Sequence, residues 1–244
     1  MNGRPDSWCL FLDVDGTLLE IAPTPDAVRV DDALRNLLLA VAIALDGAVA
    51  LVSGRAIASL DRLFDPQRWP AAGLHGLERR DADGRLHRHA PARQSLEEAR
   101  LKLLYLVARL PGILLEDKGH SIAVHYRAAP ELEPALRRAL AEITSDLAPE
   151  YQLLAGTHVF ELKPTAATKA DAVRAFLAEP PFAGRRPVYV GDDLTDLDGF
   201  AAVECVGGLS VAVGDRVNAQ LRVASPRDVR ALLADLAECR SPVP

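Results

Sequence analysis

Short apolar runs alternate with helical patterns along much of the chain. Three of the runs, WCLFLDVDG, AVALVSGR and PVYVGDD, have the length and composition of buried strands, and each ends in a polar or acidic cluster. The spacing of apolar positions predicts helices over residues 31–45 and 168–177. Ser225 followed by Pro226 predicts the start of a further helix. This alternation predicts a parallel sheet that helices cover on both faces.

Residues 91–164 show a different order of elements. The pattern there predicts helix, strand, strand, helix and strand, over residues 96–110, 113–118, 121–127, 132–147 and 159–163. Alternation in the second strand places Ile122 and Val124 on an apolar face and leaves the other face polar. We therefore expect an α/β fold with a Rossmann-like parallel-sheet core, residues 1–90 and 165–244, and an inserted α+β domain over residues 91–164.

The composition excludes several classes of function. Of the 244 residues, 49% are apolar and 5% are aromatic, and the formal net charge is -6 at pH 7. This charge offers no basic face for a nucleic acid, so a small molecule is the expected partner. The longest apolar stretch, residues 37–45, is shorter than the roughly 18 residues that a membrane span needs, and we expect no membrane partner.

The first residues and the cysteines bear on location. The segment MNGRPDSW contains no apolar run, so it predicts no secretory signal. Cys9, Cys205 and Cys239 form no C-x-x-C pair, which favours reduced, buried thiols over a disulfide framework or a zinc site. We expect a monomer in the cytoplasm.

Asp13 and Asp15 carry the clearest chemical signal. They lie two residues apart at the end of an apolar strand, and Gly16 permits the sharp turn that follows. One carboxylate can attack a phosphate ester while the other handles protons. The alternatives are an acidic turn or a calcium loop. Calcium fits poorly, because an EF-hand loop needs its glycine at position 6 and this glycine is at position 4.

Two weaker signals lie further along the chain. Ser53 can donate its hydroxyl to a phosphate oxygen, and Gly54 leaves the neighbouring backbone accessible, although a Ser-Gly pair is also common in turns. Lys169 opens the helix after ELKPTAAT and could neutralise charge on a transferring phosphoryl group. The alternative for Lys169 is a solvated surface lysine.

Three carboxylates follow the strand PVYVG. Asp192, Asp193 and Asp196 lie within five residues and would repel one another unless a cation or hydrogen-bond donors lay among them. Mg²⁺ takes one or two protein carboxylates together with phosphate oxygens and water. Asp13 and Asp192 suit that role, with Asp15 offering its backbone carbonyl and Asp193 orienting a bound water. The alternative is a helix N-terminus that carries acidic residues.

The order of these signals, acid pair, serine, lysine and acid cluster, resembles the haloacid dehalogenase superfamily of phosphatases. The resemblance implies Asp13 as nucleophile and Asp15 as general acid and base. It also implies Ser53 and Lys169 as phosphate ligands, with Asp192 and Asp193 at a Mg²⁺ site.

Further strings narrow the resemblance. GLHG, EDKGHSIAVHYR, ELKP and GDDLTD are similar to motifs of the trehalose-6-phosphate phosphatase family, in that family's order. The resemblance implies that residues 91–164 form a cap domain that sets substrate specificity, and that the substrate is trehalose 6-phosphate. The resemblance implies Glu116, Lys118 and Glu161 as substrate contacts, and His75, His125 and Arg127 are further candidates in the same strings. Gly54 and Arg55, which follow Ser53 in the string SGR, are also candidate substrate contacts.

The chain departs from the family pattern at two positions. Leu197 follows GDDLTD where the family usually has glutamate, and Ala170 follows Lys169 where the family tends to have glycine. Two other functions stay open. One is another sugar phosphatase, of the sucrose-phosphate or mannosyl-phosphoglycerate type. The other is a non-catalytic domain that binds a sugar phosphate and regulates a partner.

Overall fold

The computed structural model of the protein describes residues 7–21, 28–88, 93–119, 121–147, 149–165 and 167–238. The chain forms two compact units. The first unit consists of Met1–Arg88 and Thr168–Pro244, and the second of His89–Ala167. The predicted insert falls within the second unit, although residue 91, where it was expected to begin, lies outside the described residues.

Helices and strands follow one another in the order that a doubly wound fold with an insert requires. Their bounds are β1 Trp8–Leu12, α1 Asp32–Ala44, β2 Val49–Val52, α2 Ile57–Leu63, β3 Ala71–Gly73, β4 Glu78–Arg80, β5 Leu86–Arg88, α3 Arg93–Val107, β6 Leu114–Asp117, β7 Ile122–His125, α4 Glu133–Ser145, β8 Tyr151–Gly156, β9 Val159–Pro164, α5 Lys169–Leu177, β10 Arg186–Gly191, α6 Leu197–Glu204, β11 Leu209–Val213, β12 Leu221–Val223 and α7 Pro226–Glu238.

The first unit is built on one eight-stranded sheet. Its strand order is β12-β11-β10-β1-β2-β3-β4-β5, and the pairs from β12 to β3 are parallel. The two pairs at the other edge, β3 with β4 and β4 with β5, are antiparallel. The predicted parallel sheet is therefore confirmed, and β1 lies between β10 and β2 in its centre. The carboxyl ends of these three strands consequently lie side by side.

Local sequence explains where the helices of this unit begin. Asp31 caps α1 because its side chain accepts a hydrogen bond from the backbone N–H of Leu34 at 2.7 Å. Thr168 caps α5 in a capping box with Asp171, which fixes the position of the first helical residue, Lys169. The N-terminus of α5 is therefore held firmly where chemistry is expected.

The second unit has its own sheet and its own core. The strand order is β6-β7-β9-β8, and all three pairs are antiparallel. Ile122, Val124 and Tyr126 are buried, as the alternation predicted, and they cluster with Leu136 and Leu140 of α4. Burial of both apolar faces stabilises the pairing of sheet and helix.

Two expectations from the sequence were wrong or incomplete. Cys9 is buried, but Cys205 is exposed because it lies at the end of α6, in a turn at the surface, and Cys239 lies outside the described residues. Strand β8 was not predicted, and it extends the second sheet beyond β9. None of the helices in the described ranges combines the length and the apolar character needed to cross a bilayer.

Candidate active site

Three polar residues follow the three central strands of the first sheet. Asp13 follows β1, Ser53 follows β2 and Asp192 follows β10, and all three are buried. Asp13 also donates its backbone N–H to Val190 of β10 at 2.9 Å, which fixes it against that strand. In open α/β sheets, ligands bind at the carboxyl ends of the strands where the strand order reverses. The predicted residues from these distant segments therefore occupy the expected edge.

Lys169 links this edge to helix α5. Its side chain is 2% exposed, and its Nζ donates to Oδ1 of Asp13 at 2.7 Å and to Oδ1 of Asp196 at 2.6 Å. Such an ammonium is not the solvated surface lysine that the sequence alone left open. A buried charge of this kind is stable only when it is paired and hydrogen-bonded.

Asp196 is the centre of this buried network. Its Oδ1 accepts from Lys169 and from the hydroxyl of Tyr189 at 2.8 Å. Its Oδ2 accepts from the backbone N–H groups of Asp192 at 3.1 Å and Asp193 at 3.0 Å. Four donors thus occupy one carboxylate. Asp196 therefore orients Lys169 and the loop that carries Asp192, a task that the sequence pattern did not assign to it.

Burial changes the acidity of these groups. It raises the pKa of Asp13 well above its ordinary value, Lys169 opposes the rise, and the carboxylates of Asp196 and Asp192 add to it. Burial also raises the pKa of Asp192 to about 7, again with a contribution from Asp196. Burial alone would lower the pKa of Lys169, but the two carboxylates outweigh this and raise it. The cluster therefore favours additional positive charge.

The same oxygen atoms suit a hard divalent cation. Asp13, Asp192 and Asp196 each offer a carboxylate oxygen, and these atoms lie within 4.8 Å of one another. Asp196 is already occupied by four donors, so Asp13 and Asp192 are the better candidates for ligands. Gly16 makes room for them, because a Cβ there would lie 2.3 Å from Oδ2 of Asp192. The donor set and this clearance fit the predicted Mg²⁺.

The carboxylate of Asp15 is held by the guanidinium of Arg55. Arg55 donates from Nε to Oδ2 of Asp15 at 2.6 Å and from Nη2 to Oδ1 at 2.7 Å. This bidentate geometry fixes the orientation of the carboxylate. Arg55 was predicted as a candidate substrate contact, and in the structure its guanidinium binds the predicted general acid.

The loop that carries Arg55 is fixed by the GLHG turn. Leu74 and His75 adopt the left-handed conformation, with φ of 51° and 57°. Leu74 donates its backbone N–H to the carbonyl of Arg55 at 3.0 Å. His75 donates its backbone N–H to the carbonyl of Ser53 at 3.1 Å. The imidazole of His75 packs on Gly54, where a Cβ would lie 2.8 Å from Nε2. Strained backbone of this kind occurs preferentially at functional sites.

Asp193 and Arg216 form a pair that the sequence did not predict. Asp193 caps the short turn Leu194–Asp196, and its Oδ1 accepts from Leu194 at 2.6 Å and from Nη2 of Arg216 at 2.9 Å. Arg216 lies between β11 and β12. No local signal around it points to this edge, because only the parallel pairing of β10 with β11 brings the two loops together.

The second unit gathers most of the remaining candidates on its sheet. Nε2 of His125 lies 2.9 Å from Oε2 of Glu116, and this hydrogen bond is the main reason why the pKa of Glu116 is lowered. Lys118 donates to Glu161 at 3.2 Å. Ser121, which was not a candidate, also donates to Glu161, at 2.8 Å. Arg127 is exposed and lies in the turn after β7.

Solved structures of other proteins share this fold. A haloacid dehalogenase-like hydrolase from B. subtilis superposes with a TM-score of 0.65 at 17% identity, covering 93% of this chain and 98% of that one. The C-terminal domain of trehalose-6-phosphate phosphatase from C. albicans superposes with a TM-score of 0.85 at 22% identity, covering 96% and 92%. The predicted haloacid dehalogenase fold is confirmed, and the chain belongs to that fold class.

Sequence comparison narrows the class. The trehalose-phosphatase family model matches residues 11–228. Trehalose-6-phosphate phosphatase of Escherichia coli (strain K12) is 45% identical over 221 residues, which cover 90% of this chain and 82% of the relative. The chain belongs to the trehalose-phosphatase family.

Proposed function

We propose that this protein is a Mg²⁺-dependent phosphatase that hydrolyses trehalose 6-phosphate to trehalose and inorganic phosphate. The observation that carries the proposal is the contact between Nζ of Lys169 and Oδ1 of Asp13 at 2.7 Å, in a member of the trehalose-phosphatase family. A buried carboxylate held by an ammonium is the arrangement that an attacking carboxylate and a phosphoryl group require. The regulatory alternative has no comparable support.

The reaction follows from the positions of two carboxylates. An oxygen of Asp13 attacks phosphorus, the bond from phosphorus to the sugar oxygen breaks, and Asp15 gives its proton to that oxygen. Asp15 then takes a proton from a water molecule that attacks phosphorus of the aspartyl phosphate, which releases phosphate and restores Asp13. When bound, Mg²⁺ would supply positive charge beside the phosphoryl oxygens.

Other residues of the first unit hold the phosphoryl group in this proposal. Ser53 offers a hydroxyl, and Lys169 offers an ammonium that is charged because two carboxylates raise its pKa. Asp13 and Asp192 are the proposed cation ligands, with Asp15 contributing its backbone carbonyl. Asp193 is proposed to orient a bound water. Its carboxylate also pairs with the guanidinium of Arg216.

The polar residues of the second unit are the proposed sugar contacts. His125 is hydrogen-bonded to Glu116, and Lys118 forms an ion pair with Glu161, so acidic and basic groups lie together and suit a ligand rich in hydroxyls. We also propose that residues 91–164 form a cap domain that determines which substrate is bound. The proposal also includes a monomer in the cytoplasm that needs no nucleic acid or membrane.

A panel of phosphate esters tests the substrate. Purified protein with Mg²⁺ should release phosphate from trehalose 6-phosphate much faster than from glucose 6-phosphate or sucrose 6-phosphate. Asp13→Asn provides the blank for each ester. Equal rates across the panel would remove the substrate assignment and leave the phosphatase chemistry intact. Loss of preference in a Glu161→Gln variant, with the rate on small esters retained, would support the sugar contacts in the second unit.

A further inference from the structure

Arg216 stands beside the carboxylate that is the best candidate cation ligand. Its Nη1 lies 3.7 Å from Oδ2 of Asp192, and its Nη2 donates to Oδ1 of Asp193 at 2.9 Å. The hydrogen bond to Asp193 anchors the guanidinium, while the longer contact leaves the Asp192 oxygen available to another partner. The side chain of Arg216 is 34% exposed, so solvent and salt reach this pair.

Two basic side chains, Lys169 and Arg216, pair with the carboxylates of the candidate cation site. Lys169 pairs with Asp13 and Asp196 from the buried side. Within the described part of the chain, the ion pair of Asp192 is made with Arg216. The two cations therefore act on different carboxylates, and removing Arg216 would leave the contacts of Lys169 in place.

A guanidinium at this position must oppose a divalent cation on Asp192, because two positive charges a few ångströms apart repel each other. We propose that Arg216 is a built-in counter-charge, which weakens the affinity of the Asp13–Asp192 site for its divalent cation. It thereby sets the cation concentration at which the enzyme becomes active. This inference rests on the proposed function, since that proposal makes Asp13 and Asp192 the cation ligands.

The same geometry separates this role from a merely structural ion pair. If Arg216 only fixed the loop between β11 and β12, its removal would loosen the cation site and weaken binding. If it acts through charge, its removal strengthens binding, and the gain shrinks as salt screens the interaction. A lysine, which keeps the charge, should restore the original affinity. The sign and the salt dependence therefore distinguish the two roles.

Binding of Mn²⁺ alone tests the inference without turnover. Mn²⁺ suits oxygen ligands as Mg²⁺ does, and free Mn²⁺ can be counted by electron paramagnetic resonance. The proteins are the wild type, Arg216→Gln, Arg216→Met, Arg216→Lys and the control Lys102→Gln. The control removes one positive charge from an exposed ion pair with Asp146 in the second unit. Circular dichroism confirms that each variant is folded.

At low salt we expect Arg216→Gln and Arg216→Met to bind Mn²⁺ about tenfold more tightly than the wild type. Arg216→Lys and Lys102→Gln should stay close to the wild type. In about 1 M salt, where the Debye length falls to about 3 Å, the gain should largely disappear. Equal or weaker binding by both uncharged variants at low salt would overturn the inference.

A further variant separates this inference from the proposed function. Asp192→Asn should abolish Mn²⁺ binding if Asp192 is a ligand. Unchanged binding in Asp192→Asn would contradict the cation site itself. Lost binding in Asp192→Asn, combined with unchanged affinity in Arg216→Gln, would overturn the role of Arg216 alone.

Discussion

Arg55 holds the carboxylate of Asp15 through two hydrogen bonds of 2.6 and 2.7 Å. The backbone of Arg55 is fixed in turn, because its N–H donates to Oγ of Ser53 at 3.1 Å and its carbonyl accepts from Leu74 at 3.0 Å. Asp15 is therefore oriented by a loop that is 40 residues away in sequence. This arrangement makes Arg55 a positioning residue for the proposed proton transfer.

Replacing Arg55 should harm reactions that need a general acid more than those that do not. An activated aryl phosphate has a good leaving group and needs little protonation, whereas a sugar phosphate needs a proton at the departing oxygen. We expect Arg55→Ala to lower kcat for trehalose 6-phosphate at least about tenfold more than for p-nitrophenyl phosphate. Asp15→Asn should show the same selectivity. A uniform loss on both esters would contradict the positioning role.

Asp196→Asn tests the buried network around Lys169. An asparagine side chain would turn donors of its own toward groups that are all donors, and Lys169 would lose one of its two carboxylate partners. We expect the free energy of unfolding to fall by about 3 kcal/mol and kcat to fall at least about tenfold. Asp198→Asn, at an exposed position two residues away, should change neither quantity. Urea unfolding and steady-state rates measure both, and a stable, active Asp196→Asn protein would be inconsistent with the network.

Gly16 and Gly84 offer a matched pair of backbone substitutions. Their φ angles are 87° and 84°, so alanine strains both equally. The Cβ at residue 16 would lie 2.3 Å from Asp192, whereas nothing lies within 4 Å of a Cβ at residue 84. We expect Gly16→Ala to reduce both Mn²⁺ binding and activity severely, and Gly84→Ala to reduce only stability, by about 1 kcal/mol. Similar activities in the two variants would show that the clearance at residue 16 has no function.

Asp192 should make the cation-free protein less stable at high pH. Its pKa rises from 3.8 to about 7 on folding. Between these values the folded protein holds a proton that the unfolded chain has released, so the free energy of unfolding falls as pH rises through this window. In EDTA at pH 8, Asp192→Asn should therefore be more stable than the wild type by about 2 kcal/mol, and the difference should shrink toward pH 4. Urea unfolding at several pH values measures this. A variant less stable than the wild type at pH 8 would reverse the sign of the prediction.

The parts of the site that could be predicted lie in contiguous strings. Asp13, Ser53, Lys169 and Asp192 each stand at the end or start of an element that the sequence pattern reveals, and the rule for parallel strands then brings three of them to one edge. The alternation in residues 121–127 likewise predicted that Ile122, Val124 and Tyr126 join the apolar core of the second unit, although Ser121 and Ala123 are buried as well.

The parts that could not be predicted depend on tertiary contacts. Arg55 forms an ion pair with Asp15, and Arg216 forms one with Asp193, only because separate strands end side by side. Asp196 stood in a recognised acidic cluster, yet its four donors come from Lys169, Tyr189 and two backbone groups, which no spacing rule combines. Strand β8 was not predicted, because its run, YQLLAG, lacks the two-residue alternation of apolar and polar positions.

In the proposed reaction, Asp13 receives the phosphoryl group of the substrate. The most direct measurement compares phosphate release from trehalose 6-phosphate by the wild type and by Asp13→Asn, with Mg²⁺ present and with circular dichroism as the check on folding. We predict that the wild type turns over and that Asp13→Asn is inactive while keeping its native spectrum, because an amide oxygen is a poor nucleophile. Substantial turnover by folded Asp13→Asn would rule out Asp13 as the nucleophile.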